Sequence, residues 1–155
     1  IPFLFSFVKL ILSMQHGRFF IWYVLLGAFA SDIFAYLIGT KFGKRKLCPD
    51  ISPKKTVEGS IAGIIGVVVS YTILTIIANR VIGLNINIVV AIVGSVIISI
   101  VGQFGDLSAS AIKRFCKIKD FGSIMPGHGG ILDRFDSIMF VAPVVYMMLK
   151  VCLGF

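Results

Sequence analysis

The stretch IKDFGSIMPGHGGILDRFDS, residues 118–137, gathers Lys119, Asp120, His128, Asp133, Arg134 and Asp136 around a Pro-Gly-His-Gly-Gly run. Asp133 and Asp136 stand one helical turn apart with Arg134 between them. Paired carboxylates are hard oxygen donors suited to Mg2+, which keeps several waters and binds through one or two carboxylates plus substrate phosphates. Gly127, Gly129 and Gly130 free the backbone to turn its N–H groups towards an anion just ahead of a helix. The spacing GxxxxGK[ST] of a P-loop is absent. His128 has no second His at ligand spacing, which argues against zinc and for a phosphate hydrogen bond or a structural role.

Three further groups of residues carry chemistry. Ser95, Ser99, Gln103, Asp106, Ser110 and Lys113 follow one another at steps of 4, 4, 3, 4 and 3, which places all of them on one face of a helix. A carboxylate in or near hydrocarbon is costly unless paired or hydrated, so Asp106 is expected to face a polar cavity or a metal; the plainer alternative is a cap or an ion pair with Lys113. Asp32, Tyr36, Gly39 and Gly43 form a second one-faced row, where Asp32 serves either a site or an interhelical ion pair. The segment DISPKKTVEGS sets Ser52, Lys54, Lys55, Thr56 and Glu58 just before a helix. Two adjacent cations and hydroxyls there suit a polyanionic phosphate, or else a basic loop followed by a Thr cap.

The elements that must position these residues are membrane helices. The 155 residues are 57% hydrophobic and 14% charged, with a mean hydropathy of +0.99, whereas soluble domains are about 25% charged. Apolar runs at residues 19–42, 60–79, 87–112 and 131–152 are each long enough to cross a bilayer, and residues 1–13 read as a partial first helix. An all-α polytopic membrane protein follows, with four full crossings and a partial one in a single membrane-embedded domain. The absence of an initial Met and of a signal-peptide pattern leads us to expect the C-terminal part of a longer chain.

The net charge of +8 is carried by short segments between apolar runs. Residues 41–59 hold six Lys or Arg and residues 113–120 hold four, a pattern that fits cytoplasmic loops and anionic headgroups rather than nucleic acid. Small residues at Gly59 and Gly63, and at Ala62, Gly66 and Ser70, repeat at four-residue spacing and mark a helix-packing face. Cys48, Cys116 and Cys152 lack CxxC spacing, so neither a zinc site nor a disulfide framework is expected.

The run Ser110, Lys113, Arg114, Lys119, Asp120, Gly122, Pro126, Gly127, His128, Gly129, Gly130, Asp133, Arg134 and Asp136 resembles the signature of the CDP-diacylglycerol synthases, or phosphatidate cytidylyltransferases. The upstream SDIFAYLIGTKFGKRKLCPDISPKKTVEGSIAG is similar to that family's second block. The resemblance implies a multi-helix enzyme of the bacterial inner membrane, usually a homodimer, with its site facing the cytoplasm. It implies transfer of the cytidylyl group of CTP to phosphatidate, with Mg2+ required and a second cation such as K+ accommodated. The matching metal pair is Asp106 and Asp133. Lys54, Lys55, Lys113, Arg114, Lys119 and Arg134 would then bind phosphates, and Asp136 would orient Arg134 or a metal-bound water. Two other readings fit part of the pattern: an ion or proton transporter using Asp32 and Asp106, and a CTP-dependent polyprenol kinase.

Overall fold

The computed structural model describes residues 2–49, 51–118 and 132–153, leaving out the side chains of residues 2 and 132–136. In chain order it comprises α1 (Pro2–Leu12), α2 (Gly17–Phe42), β1 (Lys46–Cys48), β2 (Ser52–Thr56), α3 (Val57–Ile77), α4 (Ile88–Phe115) and α5 (Leu132–Leu153). A π-helical turn, Ala78–Ile82, prolongs α3. The segments Gly17–Phe42, Val57–Ile82 and Ile88–Phe115 run for 26, 26 and 28 residues at hydropathies of 1.8, 2.4 and 2.3, long and apolar enough to cross a membrane. The fourth expected crossing is shorter: the apolar part of α5, Ser137–Leu153, is about 25 Å long, a little under a bilayer's hydrocarbon thickness, and follows charged first turns. At 11 residues α1 is the short helix expected. The architecture is thus all-α and polytopic.

Close backbone approach holds α2 against α3. A Cβ on Gly63 would lie 2.8 Å from the Ser31 carbonyl oxygen, and one on Gly59 would lie 2.6 Å from that of Ala35. In lipid, dispersion between fitted surfaces takes the place of the hydrophobic effect, so small residues at these crossings are what allows the helices to associate. The Tyr71 hydroxyl donates to the Tyr23 carbonyl oxygen at 2.5 Å, and the Tyr23 hydroxyl lies 3.0 Å from Thr75 Oγ1. The two rings meet edge to face at 5.0 Å. Around them Phe20, Val67, Ile98, Val141 and Val145 are fully buried, so α2, α3, α4 and α5 share one core.

The turn between α3 and α4 is tied by the Asn79 side chain, which accepts from Ile86 N–H and donates to the Ile86 carbonyl, both at 2.9 Å. Gly83 adopts φ 76°, a left-handed conformation that closes the π-turn without a Cβ clash. Asn87 then caps α4, its side chain accepting from Val89 N–H.

One element departs from expectation. The basic segment between α2 and α3, read from the sequence as a loop, pairs as a two-stranded antiparallel hairpin with Lys46 opposite Thr56 and Cys48 opposite Ser52. Three- and five-residue strands rich in Lys carry no alternation long enough to register as a strand pattern. A lone hairpin is marginal in water, and this one is fastened to its surroundings by side chains described below.

Candidate functional site

The hairpin is anchored at its base and its tip. Thr56 caps α3, its hydroxyl accepting from Gly59 N–H at 3.1 Å. The same side chain is buried against Gly39 and Gly43, where added Cβ atoms would lie 2.8 and 2.7 Å from Thr56 Oγ1. The row predicted on α2 therefore faces the hairpin. Glu58 accepts from the backbone N–H groups of Lys44, at 3.1 Å, and Arg45, at 3.3 Å, fastening the end of α2 to the start of α3. At the tip, Arg114 Nε donates to the Ile51 carbonyl oxygen at 3.3 Å, joining the end of α4 to the turn. Both basic segments thereby meet at one end of the bundle.

Beneath the hairpin lies a cleft of about 270 Å3 walled by α2, both hairpin strands, α3 and α4. It collects Asp32, Ser52, Lys54, Lys55, Thr56 and Asp106 from the predicted set. Lys55 Nζ and Asp106 Oδ2 form an ion pair, with the two side chains 26% and 25% exposed. Partial desolvation strengthens such a pair relative to one on an open surface and makes an unpartnered charge there costly.

The cleft floor is polar and cross-linked. Ser60 donates its hydroxyl to Gln103 Oε1, while Gln103 Nε2 reaches the Ser60 carbonyl at 3.1 Å, Ser99 Oγ at 3.3 Å and Ser31 Oγ at 3.4 Å. Ser31 Oγ and Ser99 Oγ are themselves 3.2 Å apart. The polar face read from α4 thus meets polar groups of α2 and α3, as a polar row inside an apolar bundle requires. Gln103, Ser60 and Tyr36 also line the cleft and were not singled out as site residues. Gln103 and Tyr36 were visible within the two one-faced rows; Ser60 carried no signal beyond following Gly59.

The remaining predicted residues are distributed as follows. Glu58 lies outside the cleft, engaged with the backbone of Lys44 and Arg45. Ser110 and Lys113 are half-buried further along α4, and Arg114 is exposed at the hairpin tip. Lys119, Asp120, Gly127, His128, Gly129 and Gly130 lie outside the described residues, as do the side chains of Asp133, Arg134 and Asp136. The backbone of α5 nevertheless gives a direction. A Cβ on Gly105 would meet Phe140, and one on Gly94 would meet Met148, so α5 runs antiparallel to α4 and begins at the cleft end.

Hard-cation chemistry fits the donors present. Asp32 and Asp106 are carboxylates on one cleft, and Asp106 already holds a positive group, the Lys55 ammonium. Among the described residues no three His, Cys, Asp or Glu side chains cluster as a complete metal cage. All three cysteines are free.

A sequence profile described as the cytidylyltransferase family matches residues 1–152. The phosphatidate cytidylyltransferase of Bacillus subtilis is 45% identical over 135 residues, covering 87% of this chain and 49% of that protein. Its namesake from Staphylococcus haemolyticus is 43% identical over 144 residues, covering 93% and 54%. That of Thermotoga maritima is 39% identical over 132 residues, covering 84% and 49%. The chain spans about half the length of the curated relatives it matches. With its profile match extending over both basic segments and every helix around the cleft, the chain belongs to the cytidylyltransferase family.

Proposed function

We propose that the protein transfers the cytidylyl group of CTP to phosphatidate, giving CDP-diacylglycerol and diphosphate at the membrane surface. The observation that carries this reading is the cleft itself, where Lys54 and Lys55 stand beside Asp32 and Asp106 at the end of membrane-spanning helices. Relatives over most of the chain named phosphatidate cytidylyltransferase support it.

The nucleophile is the phosphate of phosphatidate, already anionic, so no Ser or Cys nucleophile is needed. Its oxygen attacks the α phosphorus of CTP, the bond from that phosphorus to the bridging oxygen breaks, and its electron pair leaves with diphosphate. The obstacle is repulsion between two anions. Lys54 and Lys55 on β2, Lys113 and Arg114 at the end of α4, and Lys119 and Arg134 beyond it would offset that charge and align the reactants. Gly127, Gly129 and Gly130 would present backbone N–H groups, with His128 and Ser110 as further hydrogen-bonding partners for phosphate. Asp136 would orient Arg134.

Asp106 and Asp133 would hold Mg2+, and the antiparallel run of α4 and α5 supports their pairing, since both helices have these residues towards the same end. When bound, Mg2+ supplies a Lewis acid that neutralises phosphate charge. A second cation such as K+, a homodimer, and a cleft facing the cytoplasm of the bacterial inner membrane belong to the same proposal. The meeting of both Lys- and Arg-rich segments at one end supports the cytoplasmic orientation.

The test is a reconstituted assay with phosphatidate and CTP labelled at either the α or the γ phosphorus. Label from the α position in lipid, with diphosphate released, is the expected result. Transfer of the γ label with release of CDP would mean a kinase, and ion flux without lipid labelling would mean a transporter; either result overturns the proposal.

A further inference from the structure

The Lys55–Asp106 pair joins two residues that the proposed reaction uses for opposite purposes, one for phosphate and one for metal. Both line the same cleft, and each is about a quarter exposed. An ammonium and a metal cation compete for one carboxylate, because each neutralises the same charge. The backbone beneath Lys55 is held, since Thr56 is buried and caps α3, while the hairpin tip is tied by Arg114 to Ile51. What can move is the four-carbon stem of Lys55, a flexible arm ending in a compact charge. The ammonium can therefore leave Asp106 for an anion in the cleft while the hairpin stays in place.

We propose that Lys55 is a resident counterion of Asp106 that yields the carboxylate to the incoming metal and moves to a phosphate oxygen of the nucleotide. This rests on the proposed metal and phosphate roles and adds a coupling between them. Without nucleotide, Lys55 suppresses metal binding, so the cleft avoids holding a metal before there is phosphate to bridge. With nucleotide present, each phosphate contact that draws Lys55 away exposes Asp106. By linkage, metal in turn strengthens nucleotide binding by the same factor. Lys55 is thus a positioning residue for Asp106 before substrate arrives and a phosphate ligand afterwards.

The test measures Mn2+ affinity of the purified, detergent-solubilised protein by electron paramagnetic resonance, with and without CTP and with no phosphatidate present. In Lys55→Met the Mn2+ Kd without CTP is expected to fall roughly 5-fold or more, within the usual range of coupling between sites. The further tightening that CTP brings to the wild type should shrink. Lys55→Arg keeps the charge and should bind Mn2+ without CTP as the wild type does. Lys46→Met removes one exposed cation of β1 that does not line the cleft, and should change little. Asp106→Asn should lose Mn2+ binding with or without CTP. An unchanged or weaker Mn2+ affinity in Lys55→Met without CTP overturns the exchange, as does an equal gain in Lys46→Met, which would mean general electrostatics. Because the readout is metal binding without turnover, its failure is distinct from a failure to find cytidylyl transfer.

Discussion

Gln103 on α4 and Ser60 on α3 are bonded twice beneath the cleft, hydroxyl to amide oxygen and amide nitrogen to carbonyl at 3.1 Å. Ser31 and Ser99 complete the cluster, and both are buried. Replacing Gln103 by Leu keeps the bulk but leaves these polar groups short of partners. The expected cost is about 1–3 kcal/mol, seen as a lower thermal midpoint in detergent. A midpoint equal to wild type would mean the cluster contributes no net stability.

Gly63 tests the α2–α3 seam. In Gly63→Ala the methyl would sit 2.8 Å from the Ser31 carbonyl oxygen, which is backbone and cannot swing aside. The helices must part, costing about 1–3 kcal/mol. Gly83→Ala is a contrasting control, because nothing lies near its Cβ and its penalty comes from φ 76° alone. Thermal unfolding of both variants should show the larger loss for Gly63→Ala together with weaker coupling of the cleft walls.

Thr56 serves as a cap and as a spacer against Gly39 and Gly43. Thr56→Ala removes the acceptor for Gly59 N–H and should destabilise by about 1 kcal/mol, the usual cost of losing an N-cap. Thr56→Ser keeps the oxygen and should recover most of it. Comparing the two by chemical or thermal unfolding separates capping from packing by the methyl group.

Arg114 holds the hairpin tip through the Ile51 carbonyl. Arg114→Ala should leave the helices folded but raise amide hydrogen exchange across residues 46–56. Unchanged protection would show that the base contacts of Thr56 and Glu58 suffice to hold the strands.

For the proposed chemistry, Asp106→Asn and Asp133→Asn should each lower cytidylyl transfer on the order of 100-fold or more, the scale on which loss of one charge-stabilising group is felt. Membrane insertion should be intact in both. Turnover at the wild-type rate in Asp133→Asn would remove it from the metal pair.

The sequence by itself determined the helices and their polar faces. Apolar runs of about twenty residues without period-two alternation favour helices in lipid, where a helix satisfies every backbone N–H and C=O within its own segment. A period near 3.6 then fixes which residues share a face, and this is why the row from Ser95 to Asp106 and the row from Asp32 to Gly43 were legible. Their partners were not. Asp106 was read as facing a polar cavity or a metal, or else pairing with Lys113; it does line a polar cleft, but its partner there, Lys55, comes from a strand of the intervening hairpin that no helix periodicity could point to. Thr56 was read as a phosphate partner or a helix cap, and it is the cap of α3; Glu58, read with the phosphate-binding group, is bonded instead to the backbone of Lys44 and Arg45. The physical reason is that periodicity is a local property of one helix, whereas the choice of counterion depends on how α2, α3 and α4 close around the cleft. That closure is set by a few small residues, Gly59 and Gly63 among them, whose effect on distance no local pattern reveals.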